Sequence, residues 1–142
     1  SFTVEYSHHH GLKKFDKIGC VIINCFNRSY CKKLIVQLPN QNHPLHFHEI
    51  KEETFQVLDG VLDVLIDGKK LQLYPGQTAL VQPGVWHGFS TKTGCIFEEV
   101  STTHIKNDSF YKEKIINRKK LEERKTIVDH WGRFRLREIH DQ

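Results

Sequence analysis

Between about Gly19 and Ser101 the chain alternates short runs of β-branched and aromatic residues with Gly, Pro, Asn and Asp. That pattern predicts an all-β sandwich or barrel, and helical periodicity is missing from it. Strands are expected at Ile18 to Ile23, Cys31 to Leu38, Glu53 to Leu58, Val61 to Ile66, Lys69 to Leu73, Thr78 to Val81, Trp86 to Ser90 and Cys95 to Ser101. Asp59-Gly60 and Asp67-Gly68 separate consecutive runs with the residues of two-residue turns, so each is expected to close a tight hairpin. Pro75-Gly76 and Pro83-Gly84 mark corners. After His104 the character changes. Ser109 to Arg124 is polar, and Asn117 to Arg124 consists mostly of good helix formers, which predicts a short helix outside the barrel. No internal repeat or low-complexity linker divides the chain. Residues 1–142 therefore read as one domain, with a barrel core at about 18–104, an N-terminal extension, and a C-terminal extension at about 105–142.

Composition narrows the function classes. The longest apolar stretches, such as Cys20 to Ile23 and Ala79 to Val81, fall far short of the roughly 20 residues a spanning helix needs, so no membrane role is expected. With 21 basic and 17 acidic residues the net charge is +4. The basic residues from Lys112 to Arg137 are interleaved with Glu and Asp, and no nucleic-acid motif accompanies them, so nucleic acid is not an expected partner. Four cysteines at positions 20, 25, 31 and 95 lack CxxC spacing and follow no signal peptide, which points to reduced thiols and a cytoplasmic location. The chain contains no Met and starts at Ser1, as expected of a segment cut from a longer polypeptide.

Candidate chemistry concentrates in His46-Phe47-His48-Glu49-Ile50-Lys51-Glu52-Glu53 and in Pro83-Gly84-Val85-Trp86-His87. Side chains two apart on a strand share a face, so His46 and His48 can aim imidazoles at one point. Glu53 has the opposite parity, and a turn or bulge in Glu49 to Glu52 is needed to bring its carboxylate to the same side. With His87, these residues form a candidate set of three imidazoles and one carboxylate. Such a set leaves positions open to water or substrate, as a catalytic metal site requires. One divalent ion is expected, manganese or zinc first, with iron, cobalt and nickel also compatible with these donors.

His46-x-His48-x4-Glu53-x6-Gly60 resembles the first cupin motif, and Gly84-x2-His87 resembles the core of the second. The second match departs at the proline, which directly precedes Gly84, and at Thr91, where the motif often has Asn. The resemblance implies a double-sheet jelly-roll barrel with the metal inside. His-x-His-x2-Lys-x-Glu, with Lys51, is similar to the D-lyxose isomerase branch of cupin sugar isomerases. Glu99-Val100-Ser101, Asp108 and Phe110-Tyr111 are similar to the tail of that active site. Ser7-His8-His9-His10-Gly11, Asn27 to Leu34, Lys51 to Phe55 and Glu98 to His104 resemble cupin domains attached to, or encoded beside, sialic-acid-type synthases.

The resemblance implies aldose–ketose isomerisation, which needs a carboxylate base and an acidic or cationic partner. Glu99 is the base it favours, because strand alternation leaves Glu98 and Glu99 open. Lys51 shares parity with Glu53 and is the expected partner, with burial lowering its pKa. A lysine at the rim, reaching to water, is the competing reading. His104 and Asp108 are candidate contacts for sugar hydroxyls. Trp86 and Phe89 are candidates for stacking on a pyranose, against the alternative of core packing. His8, His9 and His10 are assigned to a segment near the barrel mouth. Arg124-Lys125-Thr126 is a candidate contact for an acidic substituent, against a solvated surface run. The expected partners are a small sugar, a second copy in a homodimer, and a sialic-acid-type synthase. The competing functions are a non-catalytic sugar-binding domain assisting such a synthase, and a metal-dependent dioxygenase.

Overall fold

The computed structural model describes residues 3–128, and the part of the mixed-charge stretch Lys112 to Arg137 beyond position 128 lies outside them. Twelve strands form two antiparallel sheets. They are β1 (Thr3–Ser7), β2 (Cys20–Asn27), β3 (Tyr30–Gln37), β4 (Gln41–His48), β5 (Glu53–Gly60), β6 (Leu62–Ile66), β7 (Lys69–Leu73), β8 (Thr78–Val81), β9 (His87–Thr91), β10 (Cys95–Thr102), β11 (Ser109–Tyr111) and β12 (Lys125–Val128). The larger sheet runs β12-β1-β2-β3-β10-β5-β8 and the smaller β11-β4-β9-β6-β7. No helix among the described residues is long and apolar enough to cross a membrane. The four cysteines are free, as expected.

Alternation writes the core directly. In β3 and β10 every second residue is buried, giving Cys31, Lys33, Ile35 and Gln37 on one strand and Cys95, Phe97, Glu99 and Ser101 on the other. One part of the inter-sheet space is apolar. Phe55, Phe89 and Phe97 meet there at ring-centroid distances of 5.1 to 5.8 Å in edge-on geometry, each pair adding about 0.5–1.5 kcal/mol beyond its buried area. The other part is polar and holds the candidate site.

Three expectations are corrected. Asp59-Gly60 does not close a hairpin, because β5 pairs with β10 and β8 while β6 pairs with β7 and β9. The turn carries the chain from one sheet to the other. Gly60 is required there: its φ is 76°, and a Cβ would collide with the Gly94 carbonyl. Asp67-Gly68 behaves as expected, with φ of 50° and 77° closing β6 onto β7. The expected helix over Asn117 to Arg124 is instead two short ones, α1 (Lys114–Arg118) and α2 (Leu121–Arg124), separated by extended backbone at Lys119 and Lys120. Ile116 is the one α1 residue that finds a buried seat, so its anchoring, rather than propensity, sets where that helix lies. Finally, β1, β11 and β12 extend the sheets beyond the predicted core. Isolated from their partners these short segments carry weak patterns, and pairing at existing edges stabilises them.

Candidate metal centre

His46 and His48 lie on β4 and face inward, as alternation predicts. A bulge sits just before them: His43 pairs with Phe89 and His46 with His87, so Pro44 and Leu45 oppose the single residue Gly88. The bulge shifts the parity and turns His43 inward too. Sequence reasoning missed His43, and the signal for it was Pro44, a residue strands tolerate at bulges. The connection Glu49 to Glu52 leaves the strand and returns Glu53 at the start of β5, supplying the change of parity that the carboxylate needed.

Asp108 holds that connection. Its carboxylate accepts from the backbone N–H groups of Glu49, Ile50 and Lys51 at 3.0 to 3.3 Å. The expected role at sugar hydroxyls is therefore corrected: the carboxylate is committed to the backbone and shapes the loop.

The donor atoms of His46, His48, Glu53 and His87 all lie within 4.8 Å of one another, and all four residues are buried. In each imidazole, Nδ1 donates to a backbone carbonyl: Pro44 at 2.9 Å for His46, Asp108 at 3.0 Å for His48 and Val85 at 3.0 Å for His87. A carbonyl can only accept, so each Nδ1 carries a proton, and a neutral ring then turns its Nε2 lone pair inward. Burial, reinforced by the neighbouring imidazoles, holds His46 well below its ordinary pKa and so neutral. His87 Nε2 stands 2.7 Å from Glu53 Oε1, and among the described residues neither of these two atoms has a hydrogen-bond partner of good geometry. With the ring neutral and protonated on Nδ1, two acceptors face each other at that distance, and a cation between them would satisfy both. The donor set therefore fits a divalent ion, and three nitrogens with one oxygen suit metals of borderline character.

Beside the quartet, Lys51 Nζ stands 3.3 Å from both Glu53 Oε2 and Glu99 Oε2. Glu99 faces inward and Glu98 is half-buried, paired with Lys32 at 3.6 Å. Lys51 is buried and is no rim lysine. The direction expected for its pKa is corrected. Burial opposes the charge, but the Glu99 and Glu53 carboxylates outweigh it and hold the ammonium above its ordinary range. Burial also works against ionisation of Glu53, but Lys51 together with the His48 and His87 imidazoles outweighs it, keeping the carboxyl well below its usual range.

The remaining candidates separate. His104 lines the cavity, and Lys33 Nζ approaches its Nδ1 at 3.4 Å. Burial, then Lys33 and Lys51, push its pKa down to about 3, so it is neutral. Phe89 belongs to the apolar core, and His43 covers its ring at 4.4 Å with planes 14° apart. Trp86 lies outside the cavity against Phe47 at 4.7 Å, with Lys112 5.2 Å above its ring. Phe89 is buried in the core and Trp86 lies outside the cavity, so neither is placed to stack on a sugar beside the quartet, which corrects both stacking assignments. His8 and His9 are buried near the cavity as expected. His9 Nε2 and the Tyr111 hydroxyl are 3.2 Å apart, and the Tyr111 ring stacks on His46 at 5.4 Å. Burial raises the Tyr111 phenol, keeping it protonated. From sequence, His9 is placed only near the barrel mouth and Tyr111 only within the resemblance to an active-site tail, because their strands are short and distant in the chain.

Residues 34–97 match the cupin domain family. The fold is that of the cupins. Among solved structures this cupin fold is similar to the cupin domain of Cnp3 from Schizosaccharomyces pombe, at 12% identity and a TM-score of 0.56, covering 60% of this chain and 65% of that one. KdgF from Halomonas sp. gives 15% identity and a TM-score of 0.57, covering 61% and 82%. A sugar phosphate isomerase from a cupin superfamily, from Silicibacter pomeroyi, gives 21% and 0.54, with 60% of each chain covered. The chain thus spans less than two-thirds of the first and third of these. At such identities the likeness is one of fold. No curated protein matches the chain.

Proposed function

We propose that this cupin is a metal-dependent sugar isomerase of the D-lyxose isomerase type, moving a proton between adjacent carbons of an aldose and a ketose. The observation that carries this reading is the continuous row of charge from Glu53 through Lys51 to Glu99, which sets a carboxylate outside the candidate ligand set but inside the same cavity. A divalent ion held by His46, His48, Glu53 and His87 would polarise the sugar oxygens and acidify the carbon-bound proton between them. Glu99 takes the proton from one carbon and returns it to the next. Lys51 orients Glu99 and offers its remaining N–H donors to a sugar oxygen, where the compensating proton moves. His104 and Tyr111 supply neutral polar contacts at the cavity wall.

That the Silicibacter protein of similar fold is a sugar phosphate isomerase supports the same class of chemistry. A homodimer and an association with a sialic-acid-type synthase stand as further proposals, read by sedimentation equilibrium and by co-purification with the synthase. The test of the reaction is proton NMR in heavy water of the manganese-loaded protein with pentoses, hexoses and N-acetyl hexosamines. Loss of the signal of the hydrogen next to the carbonyl is expected for one sugar class. Saturable sugar binding without exchange would overturn the isomerase and leave a sugar-binding domain beside a synthase. Oxygen uptake with bound ferrous ion would point to a dioxygenase.

A further inference from the structure

Lys33 is 8% exposed, and its side chain points into the same cavity as the quartet. Among the described residues its ammonium has one polar partner, the neutral His104 imidazole at 3.4 Å, and no carboxylate. Glu99 lies directly across from Lys33 in the pairing of β3 with β10, yet its carboxylate is engaged by Lys51. The C-terminal segment brings a second cation to this cavity. Arg124 carries its guanidinium 5.5 Å above the Tyr111 ring, and among the described residues its buried Nε has no hydrogen-bond partner. Its carbonyl is tied to the backbone N–H groups of His8 and His9 at 2.7 and 2.9 Å, which fixes the residue's position over the barrel mouth. Neighbouring Lys125 differs, being paired with Glu5 at 3.5 Å.

Cations removed from water cost free energy unless an anion accompanies them. Among the described residues Lys51 and Lys125 find theirs, while the buried Lys33 and the half-buried Arg124 do not. An ammonium and a guanidinium together suit a carboxylate or a phosphate, the guanidinium adding directional N–H donors. We infer that Lys33 and Arg124 form a receptor for an anionic substituent, so that the substrate class is acidic sugars carrying a carboxylate or a phosphate. The inference rests on the reading of this cavity as a sugar site and specifies which sugars enter it. His104, accepting from Lys33, orients the ammonium.

The test is titration calorimetry of the manganese-loaded protein with D-glucose, D-glucuronate and a glucose phosphate ester, in the wild type and in Lys33→Gln and Arg124→Gln. At low salt, at least one acid is expected to bind about tenfold or more tighter than D-glucose, and most of that advantage to vanish in either variant. The stronger acid identifies carboxylate or phosphate as the group received. D-glucose affinity should change less than about twofold in the variants, since an uncharged sugar gives these side chains little to grip. Equal binding of all three ligands overturns the inference, as does an acid preference that survives in both variants, which would place the anion on the metal. Melting curves check folding, and Lys33→Gln, which relieves a buried charge, is expected to melt no lower than wild type. Proton exchange on the same samples separates the two claims. Exchange of neutral sugars without acid preference sinks the receptor and keeps the isomerase. Acid binding that depends on Lys33 without exchange sinks the isomerase and keeps the receptor.

Discussion

The two walls of the cavity are built by different rules. The smaller sheet contributes His43, His46, His48 and His87, imidazoles with Nδ1 fixed by backbone carbonyls, three of them one or two residues away in sequence. The larger sheet contributes Lys33, Glu53 and Glu99, and their partners are side chains contributed by other segments. The imidazole wall is thus set by local chain geometry, and the ionic wall by the register of three strands and one loop. One wall is prepared to hold a cation, and the other to manage protons and charge.

The sharpest way to break this contrast is His48→Ala. Losing one ligand of four is expected to reduce metal retained after dialysis to near zero and to abolish metal-dependent turnover, with affinity falling more than about 100-fold. Elemental analysis of the dialysed protein reads it. Glu99→Gln attacks the other wall. It should retain metal at wild-type stoichiometry while proton exchange drops by about 10²- to 10⁴-fold, and undiminished exchange would remove Glu99 from the base role.

Asp108→Ala lies between the walls. It leaves three backbone N–H groups without their acceptor and loosens the loop that carries Lys51 and leads to Glu53. Metal affinity should weaken by about 10- to 100-fold, as measured by competition with a chelator, with the ligands themselves intact. The smallest effect is expected from Trp86→Ala. Its ring lies outside the cavity, so sugar affinity should move by less than about twofold, while the contact with Lys112 is lost.

The same division explains how much could be read from sequence. His46, His48 and His87 follow from strand parity and short motifs, and Glu53 from the need for a change of parity before it. The choice between Glu98 and Glu99 was open, because a strand with alternating faces does not announce which one looks inward. Only the pairing of β10 between β3 and β5 settles it, with Glu99 between Lys33 and Phe55. Strand parity brings Lys51 toward the cavity and leaves the rim open as an alternative, and its burial decides between them; its charge balance is not legible, since it depends on two carboxylates from separate strands. Asp108 showed the type of a ligand contact and serves as a backbone acceptor, a role defined by N–H groups that no sequence displays. Asp59-Gly60 carried hairpin chemistry, yet the two strands it joins belong to different sheets, and tertiary pairing overrode the local signal.

The pairing of β12 with β1 joins residues 125–128 to the first described strand. During synthesis the chain emerges from its N-terminus, so β1 must wait with one edge open until nearly all of the described protein has left the ribosome. The imidazoles and Glu53 are all out by residue 87, and Asp108 follows some twenty residues later. Arg124 arrives last. A nascent chain would therefore acquire the means to capture metal well before it acquires the far end of its cavity, and maturation of the site would proceed in that order.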